Sequence, residues 1–256
     1  MGIPVDVDRG VRPPYAGAMA VRRKSNAVGP AGVESRICDA VRTAILERRL
    51  APDTKLPELE LGSHFAVSRT IVRQALRTLA HEGIVALRER RVAVVARPSA
   101  SEVAHVFEAR RAVECAVVEH VVARATRGEI AALRRLVVDE EAAYRRGDRL
   151  AGLRLSLGFH RRLGALAGNP VLDRYLAELV LRTSLAVALY ERPDAARTHA
   201  DHLDLLDAIA RRDTRRAVRL MTEHLVDLRE QLALDAPVAA ASLQSILRTT
   251  GFTAMK

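Results

Sequence analysis

The stretch PELELGSHFAVSRTIVRQALRTLAHEGI, Pro57 to Ile84, decides how the first part of this chain folds. Pro57 suits the first turn of a short helix over PELELGSHF, because its missing N–H would have had no helical partner there. Ser68 stands as the N-cap of a second helix, and Val72, Ala75, Leu76 and Leu79 recur at three-to-four spacing as its buried stripe. Gly83 supplies the stop. The spacing predicts helix, short turn, helix.

On the other side of the second helix Arg69, Arg73 and Arg77 follow one another at steps of four, with Thr70 and Gln74 alongside. Arginine suits bidentate contact with guanine O6 and N7, and Thr or Gln also reaches base edges and phosphates. A basic helix face alone is ordinary solvated surface; the flanking segments give this one meaning. Upstream, Ile37, Ala40, Val41, Ala44 and Ile45 share one helical face before Pro52 and Pro57 break the pattern in LAPDTKLP. Downstream, IVALRERRVAVVA has two apolar runs around Arg88 to Arg91, the form of a hairpin. Three helices and a basic hairpin make a winged helix-turn-helix, with Arg88, Arg90 or Arg91 placed to press on phosphates or the minor groove.

Charge agrees with that placement. The formal net charge is +10, and residues 34–97 carry 12 basic side chains against eight acids, while the later region is nearly balanced. A polyanionic partner for the N-terminal part follows. Cys38 and Cys115 both sit inside helical patterns, as small core residues in a reducing compartment. Arg182 interrupts LAELVLRTSLAVALY, so no membrane span is expected, and the N-terminus lacks an apolar signal segment; the expectation is cytoplasmic.

Beyond Pro98 six segments show helical periodicity: 101–125, 128–147, 148–168, 169–192, 193–213 and 214–234, bounded by Gly, Asn, Pro or Asp. The expected fold is mainly α, an N-terminal winged helix-turn-helix followed by a C-terminal antiparallel bundle of about six helices. The expected organisation is a disordered basic tail over 1–32, which includes Arg22-Arg23-Lys24, the DNA-binding domain over 33–97 and a linker over 98–101. An all-α effector-binding and dimerisation domain over 102–235 and a tail over 236–256 complete it.

His160, His202 and His224 fall on three different segments, each on or beside the apolar face. If those helices face one interior, three imidazoles converge, a donor set suited to Zn or Ni. A single buried histidine usually only satisfies a local hydrogen bond, and His105, His120 and His199 are left at that reading. Arg110 has Glu114 one turn on, at the spacing of a helical ion pair.

LPELELGSHFAVSRTIVRQALRTLAHEGIV followed by RRVAVVA resembles the N-terminal domain of GntR-family transcription regulators. FEARRAVE, FHRRL, AGNPVL, HLDLLDAIARRD and MTEHL resemble the effector (FCD) domain of the FadR-type branch, over about residues 34–235 in all. The resemblance implies operator contacts from Arg69, Thr70 and Arg73 after Ser68. Together with Arg77, Arg90 and Arg91 they form the candidate DNA-binding set. It also implies a divalent metal on His160, His202 and His224, joined by an Asp one turn before His160, that helps hold a small carboxylate effector. It further implies that Arg110 points inward, where a ligand carboxylate is the alternative to Glu114 as its partner, with Arg182 a weaker candidate of the same kind.

The departures are specific. Leu59 stands where the family often has a DNA-contacting Arg, Ala66 where it has the turn glycine, and Val92 where it has the wing-tip glycine; a β-branched residue resists positive φ. Ser156 stands in place of the expected Asp. Three outcomes follow: a weakened three-His site, substitution by Glu191, Asp201 or Glu223, or a metal-free effector pocket using His and Arg, with Arg110, Ser156 and Arg182 as effector candidates.

These readings describe a homodimeric, ligand-responsive regulator, not an enzyme, that binds double-stranded DNA at a pseudo-palindromic operator. The rival from another class is a metal-dependent enzyme, since three histidines and a water can hydrolyse or hydrate a substrate. It has no His-Glu-x-x-His motif and leaves the basic winged region without a purpose. A non-specific nucleic-acid-coating protein would bind all duplexes equally.

Overall fold

The computed structural model describes residues 30–87, 91–192 and 200–234. Helix α1 (Pro30–Leu46) packs on α3 (Arg69–His81), and α2 (Glu58–Phe65) joins them. The first helix starts within the stretch expected to be tail, because proline at the first helical position forfeits no hydrogen bond. The basic triplet, Arg88, Arg90, His199 and residues 235–256 lie outside the described residues.

A small antiparallel sheet of order β1-β3-β2 completes this half. Strand β1 (Lys55–Leu56) pairs Lys55 with Val94 and Leu56 with Ala93 on β3 (Ala93–Val95), while β2 (Val85–Ala86) pairs Val85 with Val95 and Ala86 with Val94. The stretch LAPDTKLP, read only as a break, therefore contributes a strand.

Three local expectations have different outcomes. Ser68 is the N-cap of α3 in extended conformation, but its hydroxyl makes no capping hydrogen bond. Val92 is outside the set of described non-glycine residues with positive φ, which comprises Arg48, Asp53, Ala66 and Arg212, so the hairpin needs no strained valine. Ala66, in contrast, does take the left-handed conformation (φ 54°) at the end of α2, its N–H reaching the Gly62 carbonyl.

The expected linker also contracts. Ser99 caps α4 (Ala100–Arg124) by accepting from the Glu102 N–H at 3.1 Å, so helix begins two residues after Pro98. The bundle continues through α5 (Arg127–Arg145), α6 (Arg149–Leu166), α7 (Pro170–Tyr190), α8 (Ala200–Ala210) and α9 (Thr214–Glu230). Thr126 and Glu129 form a capping box on α5, and Asn169 Oδ1 accepts from Val171 and Leu172 ahead of Pro170 on α7. Among the described residues no helix is long and apolar enough to cross a membrane.

Two cores meet on α7. Leu176 and Val180 belong to the bundle core with Val117, Val121, Phe159 and Met221. Leu185 to Tyr190 instead join a core made of Ile37, Ile45, Leu50, Leu76 and Val95. The N-terminal half is thus docked on the end of the bundle. Arg48, in left-handed conformation, donates from Nε to the Ala188 carbonyl (2.6 Å) and from Nη2 to the Glu191 carbonyl (3.0 Å), supplying donors to the C-terminus of α7. Arg212 does the same for α4 at Val122 and Ala125.

An alanine in the left-handed region costs about 1–2 kcal/mol, offset in part by the extra entropy a glycine loses on folding, about 0.5–1 kcal/mol. Ala66→Gly is expected to stabilise the protein by about 0.5–1 kcal/mol, read as a rise of about 2 °C in thermal unfolding. An unchanged or lower midpoint contradicts the strain assigned to Ala66.

Candidate DNA-reading face and candidate metal centre

On α3 the side chains of Ser68, Arg69, Thr70, Arg73, Gln74 and Arg77 are exposed, while Val72, Ala75, Leu76 and Leu79 are buried. Arg91 is exposed at the base of the hairpin tip. A groove of about 690 Å³ lies between them, lined by Glu58, Leu59, Arg69, Arg73, Arg77 and Arg91 together with Leu87 and Val92. Leu59 is 60% exposed there, beside the arginines.

The second constellation is in the bundle. His160 on α6, His202 on α8 and His224 on α9 each offer a ring nitrogen within 4.8 Å of the others. His202 Nε2 and His224 Nε2 are 3.4 Å apart. A zinc–nitrogen bond of about 2.0–2.1 Å puts tetrahedral ligand nitrogens about 3.4 Å apart, so this pair already has ligand spacing.

The opposite nitrogens face carboxylates. Glu114 Oε1 on α4 meets His160 Nδ1, Glu140 Oε2 on α5 lies 3.1 Å from His202 Nδ1, and Asp201 Oδ2 lies 3.8 Å from His224 Nδ1. Burial pushes the His160 ring down to about 3 against the opposing pull of Glu114, and burial lowers His224 as well; both rings are neutral donors at pH 7. For Glu114 burial acts upward, but Arg110 and then His160 reverse it and hold the carboxyl at about 2.

Arg110, 2% exposed, donates from Nε to Glu114 Oε2 (2.8 Å) and from Nη1 to Thr183 Oγ1 on α7 (2.7 Å). Its Nη2 is buried with no hydrogen-bond partner among the described residues. The pairing with Glu114 and an inward free N–H therefore coexist.

Ser156, half-buried, lines a cavity of about 50 Å³ with Glu140, Glu191, Asp201, His202 and His224. Of the three acids proposed to replace the missing Asp, Asp201 and Glu191 line this cavity, and Glu191 is engaged by Arg149 at 2.9 Å. Glu223 is exposed and faces Arg219 at 3.7 Å, away from the histidines. Arg182 lies apart from the histidine cavity: it pairs with Glu178 at 3.0 Å, its side chain lies against Gly83, and it lines a second cavity with Pro98 and Val103. His105 and His120 are exposed.

Two family descriptions match this chain: bacterial regulatory proteins of the gntR family over residues 34–95, and the FCD domain over residues 105–227. The chain belongs to the GntR family and carries an FCD domain. It is 27% identical over 218 residues to the HTH-type transcriptional repressor RspR of Escherichia coli K12, covering 84% of this chain and 94% of the repressor. It is 28% identical over 212 residues to the repressor NanR of Edwardsiella tarda, covering 71% of this chain and 78% of that one. Among solved structures, Escherichia coli McbR/YncC superposes with a TM-score of 0.66 at 18% identity over 78% of this chain and 98% of its own. A putative GntR regulator from Rhodococcus sp. RHA1 gives 0.66 at 24% identity over 77% and 96%. These structures share the fold. The protein is a DNA-binding transcriptional regulator of the GntR/FCD type, and its relatives are regulators rather than enzymes.

Reasoning from the sequence left out Glu140 and gave Glu114 only the part of an ion-pair partner. A signal was present in both helices of the FCD domain. Glu140 continues the buried series Ile130, Leu133, Val137, and Glu114 sits between Phe107, Arg110 and Val117, so each acid occupies a core-facing position. A carboxylate there needs a cationic or hydrogen-bonding partner.

Glu114→Leu is expected to cost about 3–5 kcal/mol, because it strands the Arg110 charge in the core. Adding Arg110→Met is expected to recover most of that loss in denaturant unfolding. A double variant as unstable as the single one contradicts the charge compensation.

Proposed function

We propose that this GntR-family regulator is a cytoplasmic homodimer that reads a pseudo-palindromic operator with α3 and its hairpin. In the same reading, the FCD domain takes a small carboxylate effector at a divalent metal, zinc or nickel, held by His160, His202 and His224. The observation that carries the metal reading is the set of carboxylates behind the rings. A metal-binding imidazole is oriented, and its basicity raised, by a carboxylate on its other nitrogen, and Glu114, Glu140 and Asp201 stand at the three Nδ1 atoms. When bound, the cation supplies a Lewis-acid centre with open positions for an anionic oxygen. The chain's own residues do the rest: Glu114 and Glu140 fix two rings, Ser156 offers a hydroxyl to the cavity, and Arg110 adds positive charge behind Glu114. The cavity's small size fits a short acid rather than a drug-sized ligand, which needs about 300–1,000 Å³. Free Cys38 and Cys115 fit a reducing cytoplasm.

For DNA, the basic residues of α3 and Arg91 line one groove beside the hairpin. Two copies related by a two-fold axis would address half-sites about one helical turn apart. Arg73→Ala is expected to abolish operator binding while helical content and dimer mass stay unchanged; retained specific binding would refute the reading.

Elemental analysis and zinc or nickel titration test the metal. The wild type is expected to hold the ion, to show a thermal shift on loading, and to lose both in His202→Ala. Glu140→Gln is expected to weaken metal affinity about 10- to 100-fold with the fold intact. An unchanged affinity removes Glu140 from the site. A metal-free pocket is the second reading, favoured by Ser156 in place of a carboxylate and by the unpartnered Arg110 Nη2. Under it, chelator-treated protein keeps its full carboxylate-induced thermal shift.

A further inference from the structure

Arg73 does not extend freely from the recognition face. Its Nε donates to Glu58 Oε1 at 2.9 Å and its Nη2 to Glu58 Oε2 at 2.8 Å, a parallel pair across from α3 to the first turn of α2. The Arg73 side chain is still 56% exposed. Of the five N–H groups an arginine carries, this fork uses two along one edge. The end-on edge, one N–H from each Nη, stays available and has the two-donor spacing that guanine O6 and N7 accept.

The ordinary account of such a pair is a surface salt bridge that staples α2 to α3 and adds little to stability. Its location gives it another consequence. The carboxylate lines the groove that holds Arg69, Arg77 and Arg91 and would receive the DNA, so it repels phosphate where attraction is otherwise wanted. Like any exposed glutamate, Glu58 is negative at neutral pH, and the Arg73 hydrogen bond holds its carboxyl below the usual range. A charge that opposes non-specific binding while fixing one arginine favours selectivity over raw affinity. An unfixed arginine loses rotamer entropy when base contact orders it, and a guanidinium already clamped along one edge loses less.

We propose that Glu58 is a positioning residue for base reading, holding Arg73 so that its free edge addresses a guanine in each operator half-site. This rests on the reading that α3 meets the major groove. The experiment uses the full chain: selection from randomised duplexes at fixed salt, then binding of single-base variants of the selected site by wild type, Glu58→Ala, Glu58→Gln and Arg73→Ala, with thermal unfolding of each. Wild type is expected to prefer guanine at one position per half-site by roughly 5- to 150-fold. Replacing that base by 7-deazaguanine, which lacks N7, is expected to remove much of the preference. Both Glu58 variants are expected to lose most of the discrimination at that position alone, to keep the others, and to bind unselected duplex as well as or better than wild type. Full guanine preference in Glu58→Ala reduces the pair to a surface staple and overturns the proposal. So does an even loss at all positions with a lowered unfolding midpoint. If wild type selects no site, or Arg73→Ala keeps the same preference, the underlying recognition-face reading fails, and that result is distinct from a failure of Glu58 alone.

Discussion

Glu114 is 0% exposed, and its ionised carboxylate is the constraint around which the bundle is arranged. Leaving such a charge unpaired in a protein interior would cost several kcal/mol, so its neighbours must be donors held in place. Arg110 occupies one oxygen and His160 the other. The first contact lies within α4; the second fixes α6 against α4. Arg110 then extends the network to Thr183, whose hydroxyl also donates to carbonyls of its own helix, and so engages α7. One buried carboxylate thereby sets the relation of three helices, orients a candidate ligand ring, and leaves one guanidinium nitrogen facing the interior unmatched.

The same α7 carries the consequence out of the bundle. Its N-terminal half is core to the FCD domain and its C-terminal half is core to the DNA-binding domain. Arg48 donates to its last carbonyls from one side and Arg149 to the Val187 carbonyl from another. Arg182, the residue next to Thr183, lies against Gly83 where the recognition helix gives way to the hairpin. A displacement of Arg110 by an anion would therefore act on a helix built into both cores, rather than through a flexible tether. The short connection at Pro98 and Ser99 leaves little slack to absorb it.

The recognition helix was legible in the sequence because its burial is periodic and its ends are punctuated: Val72, Ala75, Leu76 and Leu79 inside, Gly83 with φ 74° at the stop. The six bundle helices were legible for the same reason. Strand β1 was not, since two residues cannot display a period of two, and its pairing with Val94 and Ala93 is decided by distant chain. Arg48 and Arg212 were equally hidden: nothing in an arginine announces a left-handed backbone or a carbonyl terminus waiting across the fold. The three histidines could be grouped by their helical faces and by the resemblance. Glu140 was passed over because an acid on an apolar stripe looks like an interruption of the stripe. It is better understood as the partner that a buried imidazole requires.

That lesson bears on Ser156. Judged by its immediate donors, the proposed centre has three imidazoles and no carboxylate, which would leave a divalent cation with its full charge. Judged with the layer behind, it does not. Glu140 and Asp201 place negative charge one imidazole away from the site, and Glu191 lines the same cavity while its side chain is engaged by Arg149. Glu114 belongs to that layer too, though Arg110 offsets it. Charge carried at second hand stabilises a cation less per group than direct coordination, but it leaves coordination positions open. Within the proposed reading, a serine in the cavity with acids behind the rings would leave coordination positions open to an incoming carboxylate, so that ligand and metal would strengthen each other's binding.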